Sequence, residues 1–135
     1  MRTARITVGS YALHAVWEDE RSPKTCLEIR KLLPLTGQLV HARWSGEACW
    51  IPLGDRVLGV EFERPTRTPA PGEILFYPGL ASETEILIPY GDVRFSSKAG
   101  PLDGNHFLTV REGRDTLTAL GRKVFLEGAQ TIRID

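Results

Sequence analysis

The residue types best suited to chemistry are concentrated between Arg43 and Leu53, in the run Arg-Trp-Ser-Gly-Glu-Ala-Cys-Trp-Ile-Pro-Leu. Arginine binds carboxylates and imide-like carbonyls through paired N–H groups, and tryptophans supply the flat apolar walls that small-molecule sites need. We therefore predict a groove here that binds a small carboxylate, an amide or a short peptide. The predicted ligand-binding residues, some of them from other parts of the chain, are His41, Arg43, Trp44, Glu47, Cys49, Trp50, Tyr77 and His106.

Two kinds of catalysis fit the same residues, and Arg43, Glu47 and His106 are the catalytic candidates. Glu47 lies between two tryptophans that can desolvate it and raise its pKa, which would suit acid–base work with His41 or His106. A turn carboxylate paired with Arg43 explains Glu47 equally well. A thiol mechanism needs Cys49 beside a histidine, but alternation with a tryptophan in a strand favours a buried small side chain. The sequence leaves open whether the protein is an enzyme.

Metal binding is not favoured by the spacing of the potential ligands. No two of them have the short separation that marks most metal sites. The sequence therefore predicts neither a metal nor another cofactor. The residues considered are His14, His41, His106, Glu47, Glu83 and Glu85.

Length, charge and cysteine content limit the class of protein. The 135 residues fit a single domain, residues 1–135, with 17 basic and 17 acidic side chains. With no basic run, neither nucleic acid nor a membrane surface is a predicted partner, and no apolar run approaches the roughly 20 residues of a spanning helix. Two cysteines without a metal or disulfide pattern indicate a reducing cytoplasm. We also predict a homodimer, because small barrels tend to cover exposed strand edges.

The first half of the chain shows where these residues are held. Period-two alternation predicts a hairpin of Ala4–Val8 and Tyr11–Trp17. Ser22 and Pro23 predict a helix start, with Cys26 on its apolar stripe. From Gln38 to Trp44 a strand is expected in which Val40, Ala42 and Trp44 face the core. His41 and Arg43 would then point together towards solvent or towards a cleft.

The second half predicts more short strands and one further helix. The helix begins near Asp115 and ends at Gly121. About ten short strands with regular turn signals indicate a closed barrel or a sandwich. The remaining strands are expected at Ala48–Leu53, Val57–Phe62, Glu73–Tyr77, Glu85–Ile88, Val93–Phe95, Asn105–Arg111, Val124–Leu126 and Thr131–Ile134.

Two resemblances refine this prediction. The helix start Ser22-Pro23-Lys24-Thr25, followed by a strand with His41 and Arg43, is similar to the first third of cyclophilins. Nearly the whole chain resembles a family of uncharacterised bacterial proteins with a cyclophilin-like fold. This resemblance implies a mainly β, cyclophilin-like closed antiparallel β-barrel with two short helices, and no established activity. It is carried by the segments Arg43–Leu53, Ala70–Leu75, Ser82–Leu87 and Gly104–Leu108.

The cyclophilin resemblance also implies a function, peptidyl-prolyl isomerisation, as an alternative to ligand binding. Arg43 would hydrogen-bond near the prolyl nitrogen and weaken the amide resonance that sets a barrier of roughly 18–20 kcal/mol. The cyclophilin signature after the arginine strand, Gly-Phe-Met leading to Gln-Gly-Gly-Asp, is replaced here by Trp44–Trp50. A hydrolase or accessory protein for small amides is a further alternative, by analogy with barrels of this type.

Overall fold

The computed structural model describes residues 2–135 and contains a closed antiparallel barrel of eight strands. Around the barrel the strands follow the order β1, β10, β3, β4, β6, β5, β9 and β2, with β2 pairing again with β1. The predicted mainly β closed antiparallel barrel with two helices is confirmed. The strands are β1 Thr3–Val8, β2 Tyr11–Trp17, β3 Leu35–His41, β4 Gly46–Gly54, β5 Glu73–Tyr77, β6 Thr84–Val93, β7 Ser96–Ser97, β8 Gly100–Pro101, β9 Asn105–Glu112 and β10 Gln130–Ile134.

Strand alternation divides the apolar residues between the two faces of the barrel wall. On β6, Ile86 and Ile88 join the main core together with residues of both helices, whereas Leu87 belongs to a second cluster. The second cluster therefore lies on the outer face of the wall. It consists of Ala48, Leu75, Tyr77, Leu87, Phe95 and Leu102, and the segment from residue 94 to residue 104 covers it.

The first helix, α1, spans Pro23–Lys31 and begins where the sequence predicts. Pro23 occupies the first turn, where its missing N–H leaves no hydrogen bond unmade. The Ser22 side chain does not cap the helix, contrary to the expectation for a serine at this position. Its hydroxyl donates instead to the His106 carbonyl at 2.8 Å and so fastens α1 to β9.

The second helix, α2, spans Leu117–Glu127 and follows a 3₁₀ turn at Arg114–Thr116. The prediction that it ends at Gly121 was wrong, as was the strand predicted at Val124–Leu126. Gly121 is buried inside the helix, and a Cβ atom there would collide with the ring of Tyr90. This glycine permits close packing of α2 on the barrel and does not terminate the helix.

Two strand predictions also need correction. No strand forms at Val57–Phe62, because side-chain hydrogen bonds hold this part of the chain: the Asn105 amide donates to the Glu61 carbonyl at 2.9 Å and accepts from the Glu63 N–H at 2.7 Å. Of the strand predicted at Val93–Phe95, only Val93 lies in a strand, as the last residue of β6, and Arg94 and Phe95 lie outside the strands.

The inward face of β3 is opposite to the predicted one. Leu39 is fully buried in the main core, whereas Trp44 is 54% exposed. Pairing with β10 turns Leu35 and Leu39 inward. The strand ends at His41, so the alternation that placed His41 and Arg43 together does not continue.

Candidate functional site

The candidate site is a cleft of about 380 Å³ on the outer face of the barrel wall. Its floor includes Val40 of β3 and Trp50 of β4, which lie opposite each other in the sheet. Strand β6 contributes Glu85, which pairs with Pro52 and so lies diagonally across from Trp50 on the same face. The remaining lining residues are His41, Ala42, Arg43, Trp44, Ser45, Ser82, Glu83, Ser96, Ser97 and Lys98.

Glu85 is the most unusual group in the cleft. Glu85 is only 7% exposed. Its carboxyl nevertheless makes no hydrogen bond or ion pair with any residue in the described range 2–135. Burial, and secondarily the charge of Glu83, raises the pKa of Glu85 to about 8. At pH 7 the carboxyl is therefore mostly protonated, and it can donate one hydrogen bond into the cleft.

Two basic side chains also line the cleft. Arg43 follows the end of β3, and Lys98 lies in the turn between β7 and β8. Both side chains are exposed and free of ion pairs among the described residues. The cleft can therefore bind an anionic group through Arg43 or Lys98. It can bind a carbonyl oxygen through the hydroxyl of the protonated Glu85 carboxyl.

The wall of the cleft formed by residues 94–104 is fixed to the barrel at both ends. The Ser45 hydroxyl donates to the Ser96 carbonyl and accepts from the Ser96 N–H, each at 3.0 Å. Farther along, the Arg67 guanidinium forms two hydrogen bonds of 2.9 Å with the Asp103 carboxylate. This pairing lowers the pKa of Asp103. The cleft is thus formed by a segment held in place from two sides.

The structure brings three of the predicted ligand-binding side chains together: Arg43, Trp44 and Trp50 all line the cleft. His41 also borders it, but its imidazole is engaged elsewhere. The ring donates from Nδ1 to the Ala42 carbonyl, pairs through Nε2 with the Tyr90 hydroxyl, and packs edge-on against Phe125.

Glu47 and Cys49 do not line the cleft. The Glu47 carboxylate accepts the Asp92 N–H at 2.9 Å and lies against Gly91, so it ties the start of β4 to the end of β6. Cys49 faces the interior core, where burial raises its pKa to about 12. Its thiol is therefore not a nucleophile at neutral pH.

Tyr77 and His106 are likewise outside the cleft. The Tyr77 ring packs edge-on against Phe95, and its hydroxyl accepts the N–H groups of Leu80 and Ala81, which shapes the loop that carries Ser82 and Glu83. Tyr77 therefore positions part of the cleft.

His106 pairs through Nε2 with the Thr109 hydroxyl at 2.7 Å, and that hydroxyl donates to Glu18. Since the hydroxyl proton points to the carboxylate, the imidazole is the donor to Thr109. Burial lowers the pKa of His106, against the opposing charges of Glu73 and Glu18. His106 thus belongs to a buried network beside α1.

Sequence reasoning considered Glu85 only as a metal ligand and missed its place in the cleft. A signal was present, because in Thr84–Ile88 it is the one charged residue of an otherwise apolar strand segment. Lys98, Ser96 and Ser97 carried no such signal, since they come from an irregular segment folded over the sheet. Within residues 2–135 no cluster of three or more histidine, cysteine or acidic side chains could hold a metal ion. None of the helices in that range is long and apolar enough to cross a membrane.

Comparison with known proteins places the chain in a family. The family model described as a protein of unknown function, DUF3830, matches residues 5–135. The chain belongs to the DUF3830 family. The resemblance to a family of uncharacterised proteins is thereby confirmed, and no curated protein sequence matches this DUF3830 chain.

Among solved structures, the DUF3830 barrel is similar to McbB, whose structure was determined in complex with tryptophan. The match has a TM-score of 0.77 at 22% sequence identity. It covers 97% of this chain but only 43% of the McbB chain. At this identity the likeness shows a shared fold.

Proposed function

We propose that the outer cleft binds a small molecule that carries a carboxylate or an amide. The observation that carries the proposal is Glu85, a residue only 7% exposed whose carboxyl has no protein partner among the described residues and opens into the cleft that has Trp50 in its floor. A carboxyl that opens into the cleft without a protein partner is free to hydrogen-bond a ligand there. Small-molecule sites usually consist of a partly apolar recess with a small number of polar groups.

The ligand is oriented by groups of different character. The protonated Glu85 carboxyl donates to a carbonyl or carboxylate oxygen, while Arg43 and Lys98 attract negative charge. Trp50 supplies an apolar surface for the body of the ligand. The structure of McbB is a complex with tryptophan, an amino acid with a carboxylate and a flat body. That ligand supports the same chemical class for this barrel.

A thermal-shift screen at pH 7 against small carboxylates, amides, cyclic imides and amino acids tests the proposal. At about 100 times Kd a ligand adds about 2.7 kcal/mol, which corresponds to roughly 10 °C for a domain of this size. The shift should be lost in Arg43→Ala and kept in the matched control Arg111→Ala, an exposed arginine on β9. The absence of any shift, or equal shifts in both variants, would contradict the proposal. The homodimer and the cytoplasmic location stay predictions.

A further inference from the structure

We propose that the cleft is the middle of a longer groove that binds a short peptide in extended form. The amino terminus of the peptide would point towards Asp55, and its carboxyl end towards Arg94. This inference rests on the proposed function, because it extends the same site and names the class of its ligand.

The cleft shares lining residues with a recess on each side, and we take the three together as the groove. On one side, Trp44, Ser45 and Ser96 line both the cleft and a recess that reaches Asp92 and Arg94. On the other side, Ser82 and Glu83 line both the cleft and a recess that reaches Asp55 and Val57.

Strand β4 sets the length of this groove. Gly46 borders the recess near Arg94, and Gly54 borders the recess near Asp55. These two glycines are the first and last residues of β4, so at about 3.3 Å per residue they lie about 26 Å apart. A single amino acid fills only the central cleft. An extended pentapeptide, which spans about 17 Å, reaches from the cleft into the flanking recesses.

Charge along the groove fits one direction of the peptide. The recess at the Gly54 end carries only acidic charge, from Asp55 and Glu83. Basic side chains occur from the cleft towards the Gly46 end, where Arg43 and Lys98 precede Arg94. Asp92 also lines the recess at the Gly46 end, so that recess carries one charge of each sign, and the excess of positive charge comes from Arg43 and Lys98 in the cleft. The purely acidic recess therefore favours the positive amino terminus, and the basic side chains of the cleft and Arg94 favour the negative carboxyl terminus.

The centre of the groove is suited to a peptide group and one apolar side chain. The Glu85 carboxyl, which has no protein partner among the described residues, donates to a peptide carbonyl. The Ser96 hydroxyl donates to the Arg94 carbonyl, so its oxygen can accept a peptide N–H group. Trp50 and Val40 provide the apolar surface for a side chain. The exposed Trp44 stands between the cleft and the next recess and can contact the following residue.

The test measures affinity against ligand length by isothermal titration calorimetry on the full chain at pH 7. The probes are phenylalanine, Ala-Phe-Ala and Ala-Ala-Phe-Ala-Ala with free termini, and the pentapeptide with an acetylated or an amidated end. We expect the free pentapeptide to bind at least tenfold more tightly than phenylalanine. Acetylation of its amino terminus should weaken binding about threefold, the effect of one exposed ion pair.

Two variants examine the ends of the groove separately. Asp55 and Arg94 are exposed, and their side chains make no hydrogen bond or ion pair within residues 2–135, so replacing them leaves the fold intact. Asp55→Asn should weaken the free pentapeptide about threefold but not its acetylated form. Arg94→Gln should weaken the free pentapeptide but not its amide. Neither variant, nor the control Asp115→Asn, should change phenylalanine binding.

The possible results separate this inference from the proposed function. If phenylalanine or another small carboxylate binds and the pentapeptide binds no more tightly, the groove is refuted while the small-molecule cleft stands. If the pentapeptide binds more tightly but is indifferent to acetylation and to Asp55→Asn and Arg94→Gln, the extended orientation is refuted. If neither peptides nor small molecules bind, both proposals fail.

Discussion

Glu85→Gln should stabilise the protein at high pH and leave its stability nearly unchanged at low pH. Glutamine has almost the same shape as a protonated glutamic acid but cannot ionise. Burial, followed by the charge of Glu83, raises the pKa of Glu85 from 4.5 to about 8. An acid whose pKa is higher in the folded state lowers stability as pH rises, because only the unfolded chain ionises freely.

The magnitude follows from the two pKa values. Each pH unit between 4.5 and about 8 corresponds to about 1.4 kcal/mol, so the penalty on wild-type stability reaches about 3 kcal/mol at pH 7. It reaches at most about 5 kcal/mol at pH 9, and water entering the open cleft reduces it. The glutamine variant does not carry this penalty. Its advantage over the wild type should therefore be absent at pH 4 and largest at pH 9.

Urea denaturation at pH 4, 5, 7 and 9 measures this difference as the free energy of unfolding. The matched control is Glu61→Gln, an exposed glutamate outside the cleft, which should show no pH-dependent gain. In Glu83→Gln the loss of the neighbouring charge should lower the pKa of Glu85, so that the fall in stability still begins near pH 4.5 but is smaller in total and ends at a lower pH. Equal stability of wild type and Glu85→Gln at pH 9 would refute the reasoning.

Three further predictions concern the barrel. Cys26 and Cys49, whose burial raises each pKa to about 12, should react with iodoacetamide at pH 8 only after unfolding, and rapid labelling of the native protein would contradict their burial. Gly121→Ala should cost about 1 to 3 kcal/mol in urea denaturation, because its Cβ collides with Tyr90; unchanged stability would show that α2 lies farther from the barrel. Tyr77→Phe should lower the free energy of unfolding by about 1 to 2 kcal/mol, since two loop N–H groups lose their acceptor. It should also weaken ligand binding in the thermal-shift screen. Unchanged stability together with unchanged binding would show that Tyr77 does not position the loop.

Local patterns in the sequence were sufficient for the class of fold and for several elements. Period-two alternation identified the hairpin of β1 and β2, because neighbouring side chains of a strand point to opposite faces whatever lies around them. Pro23 marked the start of α1 for an equally local reason, its fixed φ angle. Arg43 with Trp44 and Trp50 pointed to the region in which the cleft lies.

Other features were decided only by contacts between distant parts of the chain. Alternation shows that β3 has two faces but not which is inward, and pairing with β10 turned Leu39 to the core. Gly121 has the signal of a helix end, yet the Tyr90 ring makes it a packing position.

The site depended most on tertiary structure. Cys49 and Glu47 are close to Trp50 in sequence, but Cys49 faces the core and Glu47 ties β4 to β6. Glu85 reaches the cleft from β6, and Lys98 reaches it from the segment of residues 94–104. The sequence by itself determined the hairpin of β1 and β2, the start of α1 and which residues could do chemistry. Closure of the barrel decided which of them share a cleft, because burial and the pKa of Glu85 depend on neighbours that are remote in sequence.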